Sequence, residues 1–157
     1  MQSITKMTES SNEIIRIKLI AAWNLANKNI GLGPLTFFSQ KCAPYVQIDL
    51  CSIDGNLLKE KVYITQTKKN TLNPKWNEEV LLKVNPKDQK VLFSIFDDND
   101  KLPEHDFLGM FELSLTEIHR ENWPKPILTK CYDIKPRDDI DVTGELELYH
   151  AYLDPNS

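Results

Sequence analysis

Apolar and polar residues alternate in short stretches along most of the chain. Ile15, Ile17 and Leu19 alternate with Arg16 and Lys18, and Val46, Ile48 and Leu50 alternate with Gln47 and Asp49. This period of two is what a strand with one buried face requires. Six further runs at 59–67, 78–84, 91–97, 107–115, 128–134 and 144–152 read the same way, giving eight strands in all. Asp54-Gly55-Asn56 lies between two of them and signals a hairpin, because Gly and Asn accept positive φ at little cost. One short helix is predicted over 115–122, capped by Ser114 or Thr116 and stopped by Trp123-Pro124. Eight short strands separated by turns predict an all-β chain, an antiparallel two-sheet sandwich with one short helix in a loop.

Composition narrows the function. A length of 157 residues, 41% of them hydrophobic, suits one domain, expected over 13–153, with a polar, disordered leader at 1–12 and a short tail at 154–157. The net charge of −4 provides no global basic field, so nucleic acid is not an expected partner and a monomer is expected. No apolar run is long enough to span a bilayer, and residues 1–12 lack the apolar core of a secretory signal. The chain is therefore expected to be cytoplasmic. Cys42, Cys51 and Cys131 are an odd number with no CxxC spacing, which predicts buried, reduced thiols rather than a zinc site or a disulfide framework. His105, His119 and His150 share no motif with a nucleophile, and no hydrolase, zinc-protease or phosphate-loop signature is present. No catalytic residue is expected.

Four segments carry more information. Thr71-Leu72-Asn73-Pro74-Lys75-Trp76-Asn77-Glu78-Glu79 joins Asn-Pro turn chemistry to a Trp that opens an apolar strand; a structural connection with Trp76 plugging the core explains it without a ligand. Between Asp97 and Asp106, five acids crowd one loop, either solvated at its tip or gathered by a hard cation such as calcium. An EF-hand is excluded, because Leu102 or Pro103 stands where that loop needs Gly. The run 30–41 is apolar for a loop: Leu32, Leu35, Phe37 and Phe38 either fold back on the domain or enter a membrane or a partner's groove. Lys59, Lys61, Lys68 and Lys69, with Lys75 and Lys83, form a basic set that is either solvated or anion-binding. Lys59 and Lys61 share strand parity.

TLNPKWNEE, the FSIFD strand end, DFLG after the acidic loop and Pro44-Tyr45-Val46 upstream together resemble a C2 domain over about residues 13–153. With the ending Leu146-Glu147-Leu148-Tyr149-His150-Ala151-Tyr152, the chain is most similar to the N-terminal C2 domain of Nedd-type WW/HECT ubiquitin ligases. The resemblance implies an eight-stranded sandwich with calcium and lipid contacts on loops at one end and a lysine-rich face for anionic or phosphoinositide headgroups. It implies calcium ligands at Asn29, Asp97, Asn99 and Asp106, but puts acids where this chain has Asn29 and Ala43, which weakens the site by two charges. The distance from Asp97 to Asp106 is one residue longer than the family spacing, and Asp98 and Asp100 offer a second register. The function so implied is a non-catalytic module for reversible attachment to membrane phospholipids, with calcium dependence weak or lost. The alternative is a protein-interaction module that docks on a HECT-type ubiquitin ligase.

Overall fold

The computed structural model describes residues 12–26, 42–98, 106–118, 120, 130–136 and 142–154, with the backbone alone at Asp106, Glu117 and Lys130. Eight strands appear in chain order: β1 Glu13–Trp23, β2 Pro44–Ser52, β3 Leu57–Ile64, β4 Lys75–Val84, β5 Gln89–Asp97, β6 Asp106–Ser114, β7 Lys130–Asp133 and β8 Glu145–Tyr152. They form two four-stranded sheets, ordered β4-β1-β8-β7 and β3-β2-β5-β6, in which every neighbouring pair is antiparallel. Each sheet takes two neighbouring strands from β1–β4 and two from β5–β8, so the first four strands build the β3–β4 side of the sandwich and the last four the β6–β7 side.

The alternation in the sequence is what packs the sheets together. Ile15, Ile17 and Leu19 of β1, Val46 and Ile48 of β2, Val91, Phe93 and Ile95 of β5, and Leu146 and Leu148 of β8 are all essentially inaccessible and form one core. The β2–β3 hairpin closes as its sequence predicts: Gly55 adopts φ +96°, its N–H donates to Ser52 O at 2.9 Å, and Ser52 N–H donates to Asn56 O at 2.8 Å. The predicted helix is not formed over the described part of its range. Leu115–Glu117 make a single 3-10 turn, and Ile118 returns to extended backbone with ψ 133°. Ser114 occupies the cap position but makes no capping hydrogen bond; its hydroxyl instead meets Thr116 Oγ1 at 3.0 Å. Residues 119 and 121–122 of that prediction lie outside the described residues, as do the leader through residue 11 and the tail from 155.

The two sides of the sandwich are closed differently. On the β6–β7 side, Met110 and Lys135 exchange two backbone hydrogen bonds at 3.0 and 2.7 Å, tying one sheet to the other. Gly109 makes that approach feasible: a Cβ there would lie 1.8 Å from Ile134 Cγ2 at φ +144°. On the β3–β4 side a side-chain contact does the joining, as Tyr63 OH donates to Glu78 Oε1 at 2.6 Å.

Candidate functional site

The basic set divides between the two ends of β3. Lys59 pairs with Leu50 across the β2–β3 ladder, whereas Lys68 lies beyond the other end of β3 and donates its amide to Pro44 O at 3.0 Å. Leu50 and Pro44 sit near opposite ends of β2, roughly 20 Å apart at a strand's rise of about 3.3 Å per residue. Lys68 and Lys69 are therefore set at the opposite end of β3 from Lys59.

Lys59 and Lys61 do come together, joined by Lys83 from the other sheet. With Leu50, Val62, Leu81 and Leu82 they line a hollow of about 330 Å³ between β3 and β4. Simple parity does not produce this arrangement. The β2–β3 register shifts between Ile48 and Leu50, and Lys61 adopts a left-handed φ of +52°. Buried Asp49 holds the bulge, its Oδ1 accepting the Lys61 amide at 2.7 Å while Gln47 Nε2 donates to both carboxylate oxygens at 3.0 and 3.2 Å. The bulge also twists an edge strand and blocks its pairing with another chain. Lys75 is placed elsewhere, its Nζ 5.6 Å from the centre of the Trp23 ring.

At the far end, β5 runs on to Asp97, which faces Pro44 on one side and Asp106 on the other. Of the two readings of the acidic loop, the strand end therefore falls on Asp97, whose side chain is turned inward and is 1% exposed. Its Oδ1 accepts the amide of Ala43 at 2.8 Å, and the amide of Asp98 donates to Ala43 O at 2.8 Å, so Ala43 is gripped through both backbone groups. Thr67 Oγ1 lies 3.5 Å from Asp98 Oδ2, at the limit of a hydrogen bond. Among the described residues, no three His, Cys, Asp or Glu side chains converge to hold a metal ion. Asn29, Asn99 and the side chain of Asp106 lie outside the described residues, as do Leu32, Leu35, Phe37 and Phe38.

The NPKW segment is structural. Asn73 Oδ1 accepts the amide of Asn24 at 2.8 Å, and Pro74 O and Leu72 O accept the amides of Ala22 and Leu25 at 3.0 and 3.1 Å. Trp76 is buried in the core, its indole N–H without a partner among the described residues. Cys42 and Cys51 are buried as expected, but Cys131 is exposed, because β7 is an edge strand and its alternation turns this residue outward. His150, on the inward parity of Leu146 and Leu148, bonds to Tyr132 OH through Nε2 at 2.8 Å, at the end of a ring stack running through Phe111 to Phe93.

Two four-stranded antiparallel sheets packed in these orders make the sandwich of a C2 domain. The C2 domain family profile matches residues 13–128, and the chain belongs to that family. It is 36% identical over 157 residues to the E3 ubiquitin-protein ligase Nedd-4 of Drosophila melanogaster and 35% identical over 156 residues to NEDD4 of Rattus norvegicus, covering 97% and 98% of this chain. The chain spans only 15–16% of the length of those ligases. Among solved structures, a C2 domain of plant Extended Synaptotagmin 1 superposes with a TM-score of 0.67 at 25% identity, over 90% of this chain and 94% of that one. No helix among the described residues is long and apolar enough to cross a membrane.

Proposed function

We propose that this C2 domain is a non-catalytic module for reversible attachment to anionic or phosphoinositide-bearing membranes, with the Lys59, Lys61 and Lys83 hollow as its electrostatic contact. The observation that carries this reading is the meeting of three lysines from two sheets around one concave space. A lysine near an anionic surface contributes about 1 kcal/mol, so the three supply about 3 kcal/mol, a marginal attachment that needs a second contact. The apolar run with Leu32, Leu35, Phe37 and Phe38 is one source of that contact. Lys68 and Lys69 sit at the other end of β3, beside the acidic strand end, and contribute little to this surface.

Calcium is at most a weak cofactor in this reading. Ala43 supplies no side-chain oxygen, its backbone is already engaged by Asp97 and Asp98, and Asn29 brings no charge. If an ion does bind, Asp97, Asn99, Asp106 and Asn29 are its ligands, and its role is to neutralise the acidic loop.

Co-sedimentation of the chain with phosphatidylcholine vesicles, with and without phosphatidylserine, in calcium or in chelator, tests the proposal. Binding to the anionic vesicles alone is expected, unchanged by chelator and weakened about 100-fold by K59Q/K61Q/K83Q. Absence of sedimentation with every vesicle removes it. The similarity to Nedd-4 along nearly the whole chain supports a second reading, docking on such a ligase. Co-precipitation with the full-length ligase, unaffected by added vesicles, would favour it.

A further inference from the structure

The two halves of the sandwich differ in both charge and exposed apolar surface. β1 to β4 stand at plus one, since Arg16, Lys18, Lys59, Lys61, Lys75 and Lys83 outnumber four glutamates and Asp49; β5 to β8 stand at minus four, with Lys90 and Lys130 against six acids. Every exposed large hydrophobic residue among those described lies in the first half. They are Ile14 on β1, Ile53, Leu57, Leu58 and Ile64 on the β2–β3 hairpin and β3, and Leu81 on β4.

The open β3–β4 edge is where these properties meet. Leu81 and Lys83 of one sheet border the same hollow as Lys59 and Lys61 of the other, and Leu57 and Leu58 immediately precede Lys59 along β3. Leu57, Leu58 and Leu81 are 52–56% exposed. The edge of a sandwich is the one place where strands of both sheets reach a common plane, so cations and apolar side chains from both can touch one flat surface together. The acidic strand end at Asp97 and Asp98 lies at the other end of β2 and β5, and an anionic surface repels it.

From this we infer that the chain meets an anionic bilayer edge-on, along β3 and β4, with Leu57, Leu58 and Leu81 entering the headgroup region beside the lysines. The inference rests on the membrane reading proposed above and adds the orientation and the apolar contact. A bilayer suits this edge better than an acidic protein, because the exposed leucines come from strands of two different sheets and only Leu81 of the three lines the hollow with the lysines, so no one concave site takes them all. The acidic half of the molecule then faces solvent.

The test uses the full chain carrying C131S, so that the one exposed native thiol is removed, with an environment-sensitive fluorophore attached at L58C, K69C or E145C. Equimolar phosphatidylcholine and phosphatidylserine vesicles are added, with a lipid-borne quencher. Quenching of the label at position 58, with those at 69 and 145 left in water, is the expected result. In parallel, L57Q/L58Q, which alters only exposed side chains, should weaken vesicle binding about tenfold or more. Quenching at position 69 alone, or full binding by L57Q/L58Q together with loss in F37D/F38D, overturns the edge-on geometry while leaving membrane attachment standing. If the unlabelled chain binds no vesicle, or the label at 58 responds only to an acidic protein, attachment to lipid itself fails and the orientation falls with it.

Discussion

The phenol of Tyr63 on β3 donates to the Glu78 carboxylate on β4, joining the edge strands of two different sheets. The second oxygen of Glu78 accepts the amide of Gln66 at 3.0 Å, so one carboxylate fixes both the tyrosine and the turn that follows β3. The hydrogen bond to Glu78, reinforced by burial, pushes the Tyr63 phenol up from 10.0 to about 12.

The sign of the resulting pH effect follows from this shift. The folded state holds the phenolic proton more tightly than the unfolded state, so the contribution to stability is complete below pH 10 and is lost as pH rises from 10 to about 12. Tyr152, raised to about 12 chiefly by burial and then by Glu13, against the opposing charge of Arg120, adds a parallel loss over the same window. Chemical denaturation across that range should show falling stability, with a shallower fall in Tyr63→Phe. At neutral pH the same substitution should cost about 1 kcal/mol. An identical alkaline slope in the two proteins would count against the contact.

Gly109 should not accept a side chain. Gly109→Ala places a methyl group against Ile134 in a left-handed backbone, and overpacking alone costs about 1–3 kcal/mol. Denaturant unfolding of Gly109→Ala with and without Ile134→Ala separates the clash, which the second change relieves, from the backbone strain, which it does not.

Asp97 is expected to stabilise the fold whether or not a cation is present. Asp97→Ala leaves the Ala43 amide without its acceptor, a loss of about 1–3 kcal/mol that should appear in chelator as well as in calcium, with Asp97→Asn milder because its carbonyl keeps the acceptor. A D97A midpoint equal to wild type in chelator would contradict a structural role.

Thiol titration should count one fast cysteine. Cys131 is exposed and Cys42 and Cys51 are buried, so a disulfide reagent should modify one thiol in the native protein and three after denaturation. Partial desolvation against β7's neighbours, with the charges of Glu147 and Glu145, raises the Cys131 thiol, and the native reaction should therefore accelerate on going to alkaline pH.

The strands were legible because their information is local. The alternation around Ile15 and Val46 fixes which face is buried, and Gly55 fixes a turn that few other residues could make. The same locality explains the misses. Leu115 to Glu121 has good helix formers, but Leu115 is committed to the core and its carbonyl accepts the Tyr152 hydroxyl at 2.5 Å, so the chain makes one turn and goes extended. Cys131 reads as a strand cysteine, yet its exposure depends on β7 being an edge, a property of topology.

The site divides along the same line. Lys59 and Lys61 are visible as a basic pair, but their meeting with Lys83 depends on a bulge held by Asp49, twelve residues from the amide it accepts, and nothing in the local sequence announces a lysine in left-handed backbone. The exposed Leu57-Leu58 pair falls outside the strand expected at 59–67, and its place on an exposed edge strand follows only from the topology. Lys68 and Lys69 follow the end of β3, and the Lys68 amide is tied to Pro44, at the other end of β2 from Leu50, the partner of Lys59.

The Met110–Lys135 exchange makes one long side of the molecule a spine, while the other is held shut by a clasp of side chains. Loss of the clasp leaves the backbone exchange on the opposite side in place, so of the two seams the β3–β4 margin is the one that rests on side chains alone.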